Sequence, residues 1–270
     1  MSQSPRSQRW ASSPARRSTL AGSHELGQNW LVDRRIAAEM AKILRHAPPY
    51  PILELAAGNG TITEALVARG LRVTAIEIDP RCVTRLKKHF AGRAEIIEAD
   101  MLDFDFDVGP HNVVANAPFS LTTPLLRRLV QQTTWDTAVL LLQWEVARKR
   151  AGVGGTTMLT ASWWPWYEFS LIGRVPATAF APRPSVDGGI LLIGRREAPL
   201  VSRELRRSYQ ELVRVAFTAP GRGLPAILRN ILPERATKRW MQRESLDQKS
   251  LPRDLKARQW ASLHRLTRVP

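Results

Sequence analysis

Pro51-Ile52-Leu53-Glu54-Leu55-Ala56-Ala57-Gly58-Asn59-Gly60 is the stretch that decides the fold. A short apolar run ends in a glycine-containing turn, and a helical pattern follows as far as Ala68, with Gly70 as its stop. Glycine at a strand-to-helix turn lets backbone approach a ligand closely, and the amides that open the helix face it. Downstream, residues 72–78 are β-branched and alternating, and residues 81–90 have helical spacing. Residues 94–98 and 111–116 read as further strands, with a helix over 123–131. Residues 137–143 read as a central buried strand, and 166–174 and 189–193 complete the sheet. Upstream, Leu31, Ile36, Met40, Ile43 and Leu44 recur at helical spacing, and Pro48-Pro49 ends that helix. Strand–helix alternation of this kind predicts an α/β fold built on a parallel sheet.

Either side of this core the composition changes. Residues 1–23 are rich in Ser, Arg and Pro without hydrophobic period, and read as a disordered basic arm. Residues 24–199 form the expected catalytic domain, and the basic helical patterns over 201–217, 224–231, 234–243 and 255–263 mark a second domain from residue 200 to 270. The whole chain carries 40 Lys+Arg against 24 Asp+Glu, a net charge of +16. From Arg195 onward there are 18 basic and 7 acidic residues, so the excess is concentrated at one end. Arginine-rich excess of this size points to a polyanion, and nucleic acid is the obvious one. The single cysteine, Cys82, excludes an intrachain disulfide and a multi-cysteine zinc site, and it is expected as a packed, inert thiol. No apolar run has the length of a membrane span or a signal peptide, so a soluble, cytoplasmic monomer without metal is expected.

In open α/β sheets, ligands sit at the carboxyl ends of the strands. A glycine-rich turn alone is weak, because dinucleotide enzymes share it. The other strand ends discriminate. The second ends in Glu77-Ile78-Asp79, an acid suited to a ribose diol. The third is followed by Asp100-Met101-Leu102, an acid beside apolar side chains, suited to an adenine edge and face. The fourth runs into Asn116-Ala117-Pro118-Phe119. Together the four ends favour S-adenosylmethionine over NAD, because the last supplies a site for methyl transfer rather than hydride transfer.

An adenine exocyclic amine is a poor nucleophile, since its lone pair is delocalised into the ring. Accepting hydrogen bonds from both amine hydrogens favours a more pyramidal nitrogen. The Asn116 side-chain carbonyl and a backbone carbonyl at Ala117 or Pro118 are suitable acceptors, and proline stiffens the loop. Phe119 offers a ring on which an extruded base stacks. No general base is needed before attack on a sulfonium, so catalysis is mostly positioning.

These residues resemble the Erm-type 23S rRNA adenine-N6 methyltransferases, relatives of the KsgA/Dim1 dimethyladenosine transferases. The resemblance covers residues 25–196 and continues more weakly to 231. Gly27-Gln28-Asn29-Trp30-Leu31-Val32-Asp33 is similar to the family's opening segment, and 119–129, 143–149, 163–169 and 175–180 look more Erm-like than KsgA-like. The resemblance implies a class I, Rossmann-like S-adenosylmethionine-dependent methyltransferase fold with a small helical C-terminal domain. It implies cofactor contacts at Asn29, Leu31, Ala56, Glu77, Asp100 and Asn116, beside Gly58, Ile78 and Met101 of the same strand ends, and a stacking role for Phe119. It implies N6-methylation in the drug-binding loop of 23S rRNA, with resistance to macrolide, lincosamide and streptogramin B antibiotics.

Three positions depart from the family's pattern. Ala56 stands where the first glycine is usual, and is expected to crowd the cofactor or shift the turn. Ala117 replaces Ile or Leu, which is expected to remove bulk beside the target base, and Trp30 replaces Phe. A 16S rRNA dimethyladenosine transferase is a rival reading, against which Phe119 and the Trp163–Phe169 stretch count, because tyrosine is general at the stacking position there. A non-catalytic nucleic-acid-binding relative is opposed by intact Glu77 and Asn116. A DNA adenine methyltransferase is opposed by the opening segment and the motif order.

Overall fold

The structure, a computed structural model, describes residues 29–105 and 109–268. The expected basic arm over 1–23, and Gly27 and Gln28 of the opening segment, lie outside the described residues. In chain order the elements are β1 (Trp30–Leu31), α1 (Arg34–Arg45), β2 (Ile52–Leu55), α2 (Thr61–Val67), β3 (Val73–Glu77), α3 (Pro80–His89) and β4 (Glu95–Glu98). They continue with β5 (His111–Ala115), α4 (Thr122–Gln131), β6 (Trp135–Gln143), α5 (Trp144–Arg150), α6 (Met158–Trp163) and β7 (Tyr167–Val175). The last are β8 (Phe180–Ala181), β9 (Gly188–Arg195), α7 (Arg206–Thr218), α8 (Leu224–Ile227), α9 (Glu234–Arg243) and α10 (Ala257–Leu266).

The described residues form two compact units, one of residues 29–105 and 109–142 with 175–187, the other of residues 143–174 with 188–268. The change of composition near residue 200 does not coincide with any of the three breaks. Instead the chain leaves the first unit after Leu142, returns at Val175, and leaves again after Asp187.

In the first unit the strand order is β4-β3-β2-β5-β6, and the neighbouring strands pair in parallel. Every residue of β2, β3 and β5 is buried, as expected where both faces of a parallel sheet are covered. At the outer position, β4 exposes Glu95 and Glu98, charges that discourage further strand pairing. The chain runs outward from β2 through β3 to β4, then restarts on β2's other side with β5. That reversal leaves a crevice at the carboxyl ends of β2 and β5. The register aligns the ends: Leu55 faces Ile76 on one side and Ala115 on the other, and Glu77 faces Glu98. Ala56, Glu77, Ala99 and Asn116 therefore emerge along one rim.

Local chemistry starts the helices where the crevice needs them. Asp79 accepts from the Arg81 amide at 2.9 Å with Pro80 in the first helical position, which starts α3 just past Glu77. Asp33 accepts from the Arg35 amide at 2.8 Å and starts α1. The helix read from Leu31 thus begins later, and Leu31 belongs to β1. β1 pairs antiparallel with β8, Trp30 opposite Ala181 and Leu31 opposite Phe180.

The second unit contains β7, β9, α5, α6 and the four C-terminal helices. Its interior is aromatic. The Tyr209 hydroxyl donates to the Ala161 carbonyl at 2.8 Å, and its ring lies edge-on to Trp166 and His264, each at a centroid distance of 5.5 Å. Trp240 and Trp260 are fully buried. The helix expected over 201–217 is shorter, because residues 203–205 form a 3-10 turn before α7. Among the described residues, no helix is long and apolar enough to cross a membrane.

Candidate active site

A pocket of about 220 Å³ opens on the rim of the first unit's sheet. Ala56 and Gly58 line it from the turn after β2, Glu77 and Ile78 from the end of β3, Asp100 and Met101 from beyond β4, and Asn116 and Pro118 from beyond β5. Asn29, Trp30 and Leu31 line it from the N-terminal side. Four strand ends and the opening segment therefore converge on one cavity.

Glu77 is the electrostatic centre of this pocket and only 2% exposed. One carboxylate oxygen accepts from the Gly58 amide at 2.7 Å, and the other accepts from the amides of Ile78 and Asp79, both at 2.9 Å. Three of the carboxylate's four or so acceptor sites are thus spent on backbone. Glu77 ties the glycine turn to the β3 end, and about one strong acceptor site remains for a ligand hydroxyl. This sharpens the expectation of an acid that simply clasps a diol.

The turn itself holds two strained requirements. Ala56 has φ +58°, the left-handed conformation that L-residues other than glycine seldom adopt. Ala56 thus adopts a backbone conformation that favours glycine, and it lines the pocket. Gly60 has φ +82°, and a Cβ there would lie 2.7 Å from Leu86 Cδ2 and 2.9 Å from Phe90 Cε2. Only glycine satisfies both the dihedral and the packing at that position.

Beside Glu77, the buried carboxyl of Glu54 accepts from the Thr63 hydroxyl at 2.7 Å. Desolvation pushes its pKa up to about 8, with the Thr63 hydrogen bond opposing the shift. Asp100 accepts from the Leu102 amide at 2.8 Å, which folds Met101 and Leu102 against the cavity. Cys82 is buried, and desolvation raises its pKa, as for an inert thiol.

At the far end of the pocket, the Asn116 amide nitrogen donates to the Asn29 carbonyl at 3.1 Å. With its donor side engaged, the Asn116 side-chain oxygen is turned the other way. The Pro118 carbonyl accepts from the Leu121 amide at 2.9 Å, so it already closes the following 3-10 turn. Phe119 is half-buried, edge-on to Phe180 at 6.2 Å, just outside the cofactor-sized cavity. Ala117 is 3% exposed and, like Phe119, does not line this cavity.

Sequence reasoning missed Asn59, Thr61 and Leu121 among the lining residues. Asn59 stood inside the glycine turn and could have been found there. Leu121 could not, because only the 3-10 turn after Phe119 carries it to the pocket.

Fold and site define a Rossmann-like methyltransferase of class I. The profile of the ribosomal RNA adenine dimethylase family matches residues 20–268, and the chain belongs to that family. It is 59% identical over 249 residues to the mycinamicin-resistance protein MyrB of Micromonospora griseorubida, covering 92% of this chain and 80% of that protein. It is 43% identical over 209 residues to an rRNA adenine N-6-methyltransferase of Corynebacterium diphtheriae, covering 77% of this chain and 82% of that one. Among solved structures, the 23S rRNA methyltransferase ErmE superposes with a TM-score of 0.82 at 29% identity, covering 88% of this chain and 99% of that chain.

Proposed function

We propose that this protein transfers a methyl group from S-adenosylmethionine to the N6 amine of an adenine in 23S rRNA, and so protects the ribosome from macrolide-type antibiotics. The observation that carries the reading is Asn116 at the pocket's far end, its amide donor held by the Asn29 carbonyl and its oxygen presented as an acceptor. The donor set suits the cofactor: a buried carboxylate for a ribose hydroxyl at Glu77, an acid and apolar side chains for adenine at Asp100, Ile78 and Met101, and backbone at Ala56 and Gly58 for the amino-acid end. When bound, the cofactor supplies an electrophilic methyl on a positively charged sulfur.

The chain's own residues then handle the amine. Asn116 Oδ1 accepts one amine hydrogen. A backbone carbonyl, of Ala117 or Pro118, takes the other; that of Pro118 also accepts from the Leu121 amide. The target base stacks on Phe119, which Phe180 braces from the side. Held this way, the nitrogen would be aimed at the methyl group that the bound cofactor would supply, and the surplus amine proton would leave to solvent. The excess of basic residues over the C-terminal helices and the N-terminal arm grips rRNA phosphates. Likeness to MyrB and ErmE, a resistance protein and a 23S rRNA methyltransferase, supports 23S RNA as the target.

The test is incubation of purified protein with labelled S-adenosylmethionine and separated 23S and 16S RNA, followed by nucleoside mass spectrometry. Methyladenine in 23S RNA is expected. Label confined to 16S RNA overturns the target assignment, and no label in either RNA overturns the catalytic reading. Expression in a susceptible bacterium should raise its tolerance of macrolides.

A further inference from the structure

The segment Asn29–Leu31 crosses the pocket and is pinned at both ends by carboxamides. At the reaction end Asn116 donates to the Asn29 carbonyl at 3.1 Å; at the glycine turn Asn59 Nδ2 donates to the Leu31 carbonyl, also at 3.1 Å. Between these pins Trp30 lies on the turn, its Cδ1 only 3.1 Å from where a Cβ on Gly58 would stand. The other edge of the segment is held by β8 and by the amides of Val32 and Asp33, which donate to the Ala179 carbonyl at 2.8 and 3.2 Å. Asn59 also faces inward along its own turn: its Oδ1 accepts from the Thr61 amide at 3.2 Å and the Thr61 hydroxyl at 2.9 Å. With its oxygen committed to Thr61, its amide nitrogen is aimed at the strap.

We propose that Asn59 is a positioning residue that latches the Asn29–Leu31 strap across the cofactor pocket and, through Asn29, sets the orientation of the Asn116 amide. Glu77 holds the near side of the same turn through Gly58, so the turn, the strap and Asn116 form one connected frame. Opening the Asn59 link loosens the wall over the cofactor and the carbonyl that selects which face of Asn116 meets the target amine. The role in methyl transfer rests on the function proposed above; the latch itself does not.

Two substitutions separate the latch from simple helix capping. Asn59→Ala removes both links. Asn59→Asp keeps an acceptor for Thr61, and aspartate caps as well as asparagine, but it turns an acceptor toward the Leu31 carbonyl. Because Asn59 is exposed, neither change disturbs the core. Hydrogen exchange on the cofactor-free protein reads the strap directly. A latch predicts faster exchange at Leu31–Asp33 in both variants, with α2 protection kept in Asn59→Asp. Affinity for S-adenosylhomocysteine, a probe without the sulfonium charge, should weaken about tenfold in Asn59→Ala and at least as much in Asn59→Asp. Wild-type strap exchange and wild-type affinity in Asn59→Asp overturn the proposal and leave Asn59 as a cap alone. Since exchange needs neither RNA nor turnover, this outcome is distinct from a wild-type protein that fails to methylate RNA.

Discussion

Ala56 holds a backbone conformation that costs an alanine about 1–2 kcal/mol. Glycine relieves that strain while adding freedom to the unfolded chain, so Ala56→Gly should be net stabilising by about 1 kcal/mol, seen as a rise of a few degrees in Tm. A fall in Tm would show that the alanine methyl packs better than its dihedral suggests. Glu54 makes the opposite kind of claim, about protons. Its folded pKa of about 8 lies above the usual 4.5, so from about pH 4.5 to about pH 8 the folded state binds more protons than the unfolded state. Stability contributed by this group is therefore lost as pH rises through that window, by at most about 1.4 kcal/mol per pH unit. Glu54→Gln keeps an acceptor for Thr63 and should flatten the profile; denaturation at several pH values in both proteins checks this. Asn116→Ala removes the acceptor aimed at the target amine. It should lower kcat about 100-fold or more, a larger loss than the roughly tenfold weakening of S-adenosylhomocysteine binding expected from unpinning the Asn29 carbonyl. Wild-type turnover would mean the target pocket lies elsewhere.

At the scale of elements, the Ser262 hydroxyl of α10 is a hydrogen-bond hub toward α9. Ser262 Oγ accepts from Trp240 Nε1 at 2.9 Å and donates to Glu244 at 2.6 Å, and Gln259 reaches the Glu244 carbonyl at 3.2 Å. Removing it strands a buried indole N–H. Ser262→Ala should therefore cost about 1–3 kcal/mol, and adding Trp240→Ala in a double-mutant cycle should reveal the coupling. Additive losses would sink the idea of a shared hydrogen-bond hub. The elements that pattern reading recovered were the long or strongly periodic ones, such as α9, whose ends at Glu234 and Arg243 agree with the expected segment. β8 is only two residues long and exists because it pairs with β1, about 150 positions earlier, so no local period announces it. α6 spans six residues and ends among tryptophans, too short for helical spacing to register.

At the scale of the molecule, the charge of +16 predicts that binding of the proposed rRNA substrate depends on salt. If about six phosphates are contacted, raising salt from about 50 to about 200 mM should weaken rRNA binding about 10³-fold. S-adenosylhomocysteine binding, which uses a pocket of mixed backbone and apolar lining, should barely respond. Equal salt sensitivity of the two would remove charge as the basis for RNA affinity. Titrations at several salt concentrations decide it.

Strand periodicity, the order of polar residues at four strand ends and the uneven charge were all legible in the chain, because each is written in neighbouring residues. They determined the α/β class and the rim of strand ends that lines the pocket, and they point to a polyanionic partner. The glycine-turn stretch, residues 51–60, already implied a ligand. Only the tertiary structure decided that Ala56 keeps a left-handed turn, that Glu77 spends most of its acceptor capacity on backbone, that the Pro118 carbonyl also accepts from the Leu121 amide, and that Asn59 and Asn116 pin the same strap. The bonds of Glu77 to Gly58, of Asn59 to Leu31 and of Asn116 to Asn29 join residues 19 to 87 positions apart. Local pattern carries no record of such pairs, because their geometry exists only once the strands have aligned.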